Sequence, residues 1–123
     1  SSYFYRGYVV YSNQAKIDTV GVSSSLIAEY GAVSEEVARA LAEGVREKSH
    51  TDIGIGITGI AGPSGGSKQK PVGLVYIGIS NFQHTQVKKH LFSGDREVIK
   101  MLSTQSALTQ LFLQLQRGIN DER

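Results

Sequence analysis

The chain has 123 residues, with 13 Lys and Arg against 11 Asp and Glu, so its formal net charge is only +2. This length suits one domain with a real hydrophobic core. The low charge and the lack of a Lys/Arg run argue against nucleic-acid binding, and no apolar stretch approaches the roughly 20 residues that a membrane span needs. There is no cysteine, which excludes disulfides and thiolate chemistry and fits a cytoplasmic protein.

The first elements in chain order are short. Residues 3–11 are rich in Tyr, Phe and Val, a composition that predicts a strand. Ser12 can cap a short helix that runs to about Val20 and ends at Gly21. A second short helix is predicted over residues 23–30, with Gly31 closing it.

A long helix follows. Ser34 is its predicted N-cap, and Glu35 and Glu36 place negative charge where the helix dipole favours it. The apolar residues recur at helical spacing and form one predicted inward stripe: Val37, Ala38, Leu41, Ala42 and Val45.

Three strands and a last helix complete the chain. Residues 53–57 alternate Ile with Gly and predict a central strand covered on both faces. Residues 72–79 predict a second buried strand, and the more polar residues 85–92 a strand nearer an edge. Asp95 opens the last helix, whose predicted buried face consists of Leu108, Leu111, Phe112 and Leu115. This order predicts an α/β fold, a three-layer α/β/α domain with a mixed sheet.

The most informative segment is the glycine-dense stretch 58–73, TGIAGPSGGSKQKPVG, between two apolar strands. Glycine lets the backbone turn sharply or approach a ligand closely, and ligands of open α/β sheets sit at strand ends. One interpretation is therefore a shaped binding loop. The alternative is a flexible hairpin connection, since loops often only connect.

Two apparent motifs are rejected. Residues 54–59 match G-x-G-x-x-G, but they lie inside a predicted strand and open no helix, so we interpret these glycines as sites of close packing rather than a dinucleotide site. His50, His84 and His90 have no zinc-ligand spacing. We therefore predict no bound metal and no cofactor.

Tyr11 and Lys16 lie where the first strand passes into a helix. A lysine partly withdrawn from water has a lowered pKa and can act as a base, and with a nearby tyrosine it could activate a hydroxyl nucleophile. The alternative is an exposed lysine beside a half-buried tyrosine.

Asp95 and Arg96 open the last helix after Gly94. Backbone N–H groups at a helix start, together with an arginine, can bind a phosphate. The alternative is a simple Asp cap with a surface arginine.

Taken together, four stretches closely resemble the C-terminal domain of the CinA (competence/damage-inducible) family, also known as PncC. They are residues 10–16 (VYSNQAK), 31–38 (GAVSEEVA), 58–63 (TGIAGP) with 70–73 (KPVG), and 94–97 (GDRE). The resemblance covers nearly the whole chain.

The resemblance implies an amidohydrolase that converts nicotinamide mononucleotide to nicotinate mononucleotide and ammonia. It also implies a serine nucleophile assisted by Lys16 and Tyr11. The nicotinamide ribose is then expected near Thr58 and Gly59, and the phosphate near Arg96.

One departure from the family is large. Members carry a Glu-Ser-Cys-Thr-Gly-Gly-like motif upstream, which supplies the nucleophilic serine, and this chain has no such motif. We therefore expect residues 1–123 to be a single domain that lacks the family's first strand and helix and is inactive by itself.

Two other functions remain open. The domain could be a non-catalytic nucleotide-binding or regulatory module of a competence/damage-inducible protein. It could also be a dimerisation domain that pairs through apolar surface on the last helix, and we expect a homodimer or a larger homo-oligomer.

Overall fold

The structure, a computed structural model, describes residues 21–121, with side chains as far as Arg117. The elements in order are α1 (Ser24–Tyr30), α2 (Glu35–Ser49), β1 (Gly54–Gly59), β2 (Leu74–Ser80), β3 (Thr85–Leu91) and α3 (Arg96–Asp121). The strand predicted for residues 3–11 and the helix predicted for residues 12–20 lie outside the described residues. Of the helices described, none has the length and apolar content of a membrane-spanning segment.

The starts of α1 and α2 lie where the sequence predicts them. The Ser23 hydroxyl accepts a hydrogen bond from the Leu26 N–H at 3.3 Å and caps α1. The Ser34 hydroxyl accepts from the Val37 N–H at 3.2 Å and caps α2. Gly31, at a φ of 82°, ends α1 and donates its N–H to the carbonyl of Ile27. The predicted N-cap Ser34 and the predicted end at Gly31 are confirmed, and the structure adds Ser23 as the cap of α1. Each serine satisfies a backbone donor that a helix start leaves unpaired.

The predicted inward stripe of α2 is confirmed. Its buried apolar residues are Val37, Ala38, Leu41 and Ala42. Val37 and Leu41 form a core cluster with Val22 and Ile27, and Val45 packs against it partly buried. This cluster joins α1, α2 and the chain just before α1 into one helical layer.

The three described strands form an antiparallel sheet in the order β1-β2-β3. Ile77 in β2 pairs with Ile57 of β1 on one side and with Lys88 of β3 on the other. The predicted edge position of β3 is confirmed within the described part of the sheet. Within residues 21–121, β1 has β2 as its one neighbour, so its central position and the mixed character of the sheet depend on residues 3–11 and stay predictions.

The glycines of the sheet let α2 approach its surface closely. A Cβ at Gly56 would lie 2.6 Å from the Leu41 Cβ and from the Ala42 nitrogen, and one at Gly78 would lie 2.7 Å from the Ala38 carbonyl oxygen. Both distances are too short for real carbon atoms. The interpretation of residues 54–59 as a strand with packing glycines is therefore confirmed.

The last helix, α3, covers the opposite face of the sheet. Side chains alternate along a strand, so Ile77 points away from the face on which Gly78 meets α2. Val75 and Ile77 form a second core cluster with Ile99 and Ala107 of α3. The layers are thus α2, sheet and α3, and the predicted three-layer α/β/α class is confirmed.

The predicted buried face of α3 is wrong. Leu108, Phe112 and Leu115 are 60%, 59% and 45% exposed, and Leu111 is only partly buried. The sheet-facing residues are instead Ile99, Ser103, Ala107 and Gln110. Three of these four side chains are small or polar, and the Gln110 amide donates to the Ile77 carbonyl at 3.3 Å. The larger apolar residues occupy the other side of the helix.

β1 was also predicted to be covered on both faces, but its Ile57 side chain is 40% exposed. Ile57 lies on the α3 side of the sheet, at the strand whose outer edge has no partner among residues 21–121. Position on that edge explains the exposure, since no neighbouring strand within the described residues shields the side chain.

Candidate functional site at the glycine-rich loop

The segment between β1 and β2, residues 60–73, is a long hairpin connection with a defined shape, and we call it the glycine-rich loop. Its two ends are joined because Ile60 donates its N–H to Leu74 at 2.9 Å and Gly73 donates to Ile60 at 2.7 Å. Its tip turns where Ser67 donates to the Lys70 carbonyl at 2.8 Å and accepts from the Lys70 N–H at 3.0 Å. The loop is therefore a hairpin connection, as one alternative held, but a structured one.

Two of its glycines are required by geometry. Gly73 has a φ of 96°, and a Cβ there would overlap the Phe92 carbonyl. Gly62 has a φ of 81°, and a Cβ there would lie 2.6 Å from a methyl group of Val72. Other residues rarely adopt such positive φ values, so glycine is needed for both the turn and the close approach.

Lys70 fastens the loop to the first helical layer. Its ammonium group donates a 2.8 Å hydrogen bond to the carbonyl of Tyr30 in the last turn of α1. Carbonyl groups at a helix C-terminus lack helical partners and carry partial negative charge, so a cation there is favourable. Lys70 belongs to the family-like stretch 70–73, but no local sequence signal connects it with Tyr30, 40 positions earlier.

Thr58 and Gly59, the predicted ribose contacts, lie at the end of β1 where the loop begins. Thr58 is buried, and its hydroxyl donates to the Ala32 carbonyl at 2.6 Å. That bond holds the strand end against the connection between α1 and α2. Gly59 is exposed, so its backbone is accessible to a ligand, whereas the buried Thr58 side chain is not.

Arg96 lies beside the same loop at the start of α3. One guanidinium nitrogen, Nη1, donates to the Gly62 carbonyl at 3.1 Å. The Asp95 carboxylate accepts from the Val98 N–H at 2.9 Å, so the predicted Asp cap is present. A guanidinium has five N–H donors, so a single bond to Gly62 leaves capacity for an anion. Phosphate binding by Arg96 stays a prediction.

The structure thus brings Gly59, Gly62 and Arg96 to one end of the sheet, with Thr58 fixed just behind them. The predicted catalytic residues Tyr11 and Lys16 lie outside the described residues. Within the part of the chain that is described, no group of three or more His, Asp or Glu side chains could hold a metal ion.

A cavity of about 420 Å³ lies on the α2 side of the sheet. Its lining residues are Tyr30, Ser34, Glu35, Glu36, Lys70, Tyr76, Val87 and Lys89. None of the predicted site residues lines it. Of the predicted site residues, Thr58 is connected to the cavity through the sheet, because it pairs directly with Tyr76, which lines the cavity. We place the candidate site at the loop end, because the cavity mixes carboxylates with ammonium groups and its Lys70 is already bonded to Tyr30.

Among the side chains that the structure describes, His90 is the one whose pKa the fold clearly shifts. Burial lowers the pKa of its imidazole below 6.5, and the nearby charge of Lys88 lowers it further. The ring stacks on Phe92, with centroids 5.1 Å apart. Both causes disfavour the charged form, so His90 is a neutral packing residue near neutral pH.

Comparison with known proteins gives the same family throughout. The model of the CinA C-terminal domain matches residues 1–115. A protein of Moorella thermoacetica named for competence-damage induction is 57% identical over 115 residues, which cover 94% of this chain and 28% of that protein. A CinA-like protein of Acidobacterium capsulatum is 53% identical over 105 residues, 85% of this chain and 25% of that protein. The chain therefore spans about a quarter of the length of the curated relatives it matches.

A solved structure shows the same fold. The crystal structure of competence/damage inducible protein CihA from Agrobacterium tumefaciens superposes with a TM-score of 0.85 at 34% sequence identity. The match covers 88% of this chain and 67% of that one. With the family model, the relatives and the fold in agreement, the chain belongs to the CinA C-terminal domain family.

Proposed function

We propose that the complete protein hydrolyses the carboxamide of nicotinamide mononucleotide, giving nicotinate mononucleotide and ammonia. Family membership and the sequence resemblance support this reaction. The observation that carries the proposal is the meeting of Arg96 with the glycine-rich loop at Gly62, beside the accessible backbone of Gly59. A guanidinium next to open glycine backbone suits a substrate that joins a phosphate to a flat pyridinium ring.

In the proposed reaction, a serine from the segment upstream of this chain is the nucleophile. Its hydroxyl oxygen adds to the carboxamide carbon while its proton passes to the neutral amine of Lys16, with Tyr11 sharing that proton. Backbone N–H groups stabilise the oxyanion that develops on the carbonyl oxygen. The C–N bond then breaks, and ammonia leaves with the returned proton.

The acyl-serine ester is cleaved by the same groups. A water oxygen adds to the ester carbon as Lys16 takes a proton from the water, and collapse returns the serine hydroxyl and releases the carboxylate. One water is consumed, and the proton of the released carboxylic acid passes to ammonia in solution, so the final products are the carboxylate and ammonium. No redox partner is needed.

Substrate placement follows the residues at the loop end. Arg96 binds the phosphate through charge-assisted hydrogen bonds, and Thr58 and Gly59 form the wall near the ribose. The Thr58 hydroxyl already donates to Ala32, so its role is to hold Gly59 in place rather than to donate to substrate.

The test is ammonia release from nicotinamide mononucleotide by the complete protein and by its Lys16→Ala variant. We expect the variant to lose about 100-fold or more in turnover, in line with the usual contribution of a positioned base. Lys68→Ala, an exposed lysine of the same loop, is the control and should keep full activity. Unchanged turnover in Lys16→Ala would exclude the proposed base.

Calorimetry on the same samples separates the enzyme from a regulatory module. Nucleotide binding with no product from the wild-type complete protein would support a non-catalytic nucleotide-binding role and contradict the amidase proposal. Product formation with Lys16-dependent turnover supports the amidase.

A further inference from the structure

The cavity on the α2 side of the sheet forms where the close seating of α2 ends, and we call it the charged cavity. Its volume of about 420 Å³ lies in the range of about 300–1,000 Å³ that small-molecule sites occupy. α2 touches the sheet at Gly78, where a Cβ would lie 2.7 Å from the Ala38 carbonyl oxygen. Tyr76 comes two positions earlier on the same face of β2 and lines the cavity. The change from glycine to tyrosine along this face opens a space between the sheet and the first turn of α2.

One wall of the charged cavity carries carboxylates from the first turn of α2. The Glu35 carboxylate lies 3.9 Å from the Arg39 guanidinium, and this is the one ion pair found within residues 21–121. The Glu36 carboxylate therefore has no cationic partner in that range. The helix dipole favours carboxylates in a first turn, but it does not explain why two lysines line the same cavity without pairing with them.

The lysines differ in how far they are already engaged. The Lys70 ammonium group donates to the Tyr30 carbonyl at 2.8 Å. Lys89, in β3, pairs through its backbone with Tyr76, and its side chain is exposed and makes no ion pair in the described part of the chain. The charges left free at the cavity are thus a carboxylate on the helix wall and an ammonium group on the sheet wall.

This combination selects a ligand that carries both signs of charge. A phosphate or another simple anion would match Lys89 and be repelled by Glu36, and a simple cation would meet the reverse. A molecule with an ammonium group at one end and a carboxylate at the other matches both walls. Tyr76 and Val87 lie on the sheet side of the cavity and offer apolar surface to the part between the two charges.

From these observations we propose that the charged cavity is an accessory binding site for a small zwitterion of the free amino acid or short peptide class. Its ammonium group binds Glu36 and its carboxylate binds Lys89. The site goes beyond the proposed amidase reaction, since none of the described residues assigned to that reaction line it.

The position of the cavity separates it from the segment upstream of α1. A further strand would add at the outer edge of β1, whereas the floor of the cavity is formed by β2 and β3. The upstream chain reaches α1 at Ser23, and the cavity lies at the Tyr30 end of that helix. Seven helical residues separate these ends by about 10 Å. The cavity therefore stays open on these grounds when the sheet is extended.

The first experiment titrates the full 123-residue chain with the dipeptide glycyl-leucine and follows its backbone amide signals by NMR. We expect a dissociation constant of roughly 1 mM, with shifts confined to the residues around the cavity. N-acetyl-glycyl-leucine lacks the ammonium group and glycyl-leucinamide lacks the carboxylate, so each should bind about 5-fold more weakly. Equal binding of all three compounds, or no shifts at the cavity, would overturn the proposal.

The second experiment assigns each charge to its wall. In Glu36→Gln the preference for glycyl-leucine over its acetylated analogue should disappear while the preference over the amide remains, and Lys89→Met should show the reverse. Glu47→Gln, at the other end of α2, and Lys88→Met, on the opposite face of β3, should keep both preferences. Circular dichroism checks folding, and a folding defect would not remove one preference and spare the other.

Two competitors test whether the cavity has another occupant. Nicotinamide mononucleotide also carries both signs of charge, and displacement of glycyl-leucine by this nucleotide would assign the cavity to the substrate and overturn an accessory site. Inorganic phosphate alone should not displace the dipeptide. Displacement by phosphate would show a simple anion site at the lysines and would equally contradict the proposal.

Discussion

The guanidinium of Arg96 donates a 3.1 Å hydrogen bond to the carbonyl of Gly62, and it thereby fastens the start of α3 to the glycine-rich loop. The residue proposed to bind phosphate is thus also a support of the loop. Mutation of Arg96 could act through either role, and the two roles differ in how they depend on the substrate.

A pair of substrates distinguishes these roles of Arg96 in the complete protein. We expect Arg96→Ala to raise the KM for nicotinamide mononucleotide by roughly 10-fold or more, since hydrogen bonds to charged groups contribute about 1.5–3 kcal/mol. The KM for nicotinamide riboside, which lacks the phosphate, should change little. Arg117→Ala, an exposed arginine on the same helix, is the control. Equal losses on both substrates would show loop support without phosphate binding.

Lys70→Met should weaken the attachment of the glycine-rich loop to α1. The 2.8 Å bond from the Lys70 ammonium to the Tyr30 carbonyl is lost while the aliphatic side chain remains. We expect unfolding free energy to fall by about 0.5–1 kcal/mol, measured by urea denaturation. Lys68→Met removes a charge from the same loop and should be neutral, so a loss of equal size there would count against the Tyr30 contact.

Gly56→Ala tests the close packing of α2 on the sheet. The new methyl group would meet the Leu41 Cβ and the Ala42 backbone nitrogen at 2.6 Å, and a backbone atom cannot move aside alone. Overpacking of this kind costs about 1–3 kcal/mol, and we expect a decrease of that size in the free energy of unfolding. Ser64→Ala, in the exposed part of the loop, is the reference. A Gly56→Ala variant as stable as the wild type would mean that α2 is less tightly seated.

His90 should make stability depend on pH. Burial, and then Lys88, lower its pKa in the folded protein, so the unfolded chain binds more protons between that value and 6.5. Stability therefore rises with pH through this window, is fully present above 6.5 and is lost as the pH falls below it. Thermal melts of wild type and His90→Gln from pH 8 to pH 5 should diverge in this way. Parallel curves would contradict the assignment.

The structural features that the sequence predicts correctly are those that depend on local interactions. The start of α2 follows from Ser34 and the two glutamates behind it, and its inner stripe follows from Val37 and Leu41, because caps and helical periodicity act within one turn or two. The glycines of β1 were also interpreted correctly. A strand with glycine at every other position has one face that can only accept a close neighbour.

The errors concern α3, which has two apolar stripes. Periodicity identifies the side with the larger residues, here Leu108 and Phe112, but it cannot tell which side meets the sheet. The buried side includes Ser103 and Gln110, polar residues that composition assigns to the surface. The contact between Lys70 and Tyr30 was missed for a related reason, since it forms only after the loop and α1 have come together.

The glycine-rich loop is held from both helical layers, by Lys70 at α1 and by Arg96 at α3. An anion that recruits the guanidinium of Arg96 away from Gly62 would release one of these two tethers while the other stays closed. Binding of the anion would then change the mobility of residues 60–66 relative to α3, while the Lys70 end of the loop stays bonded to α1.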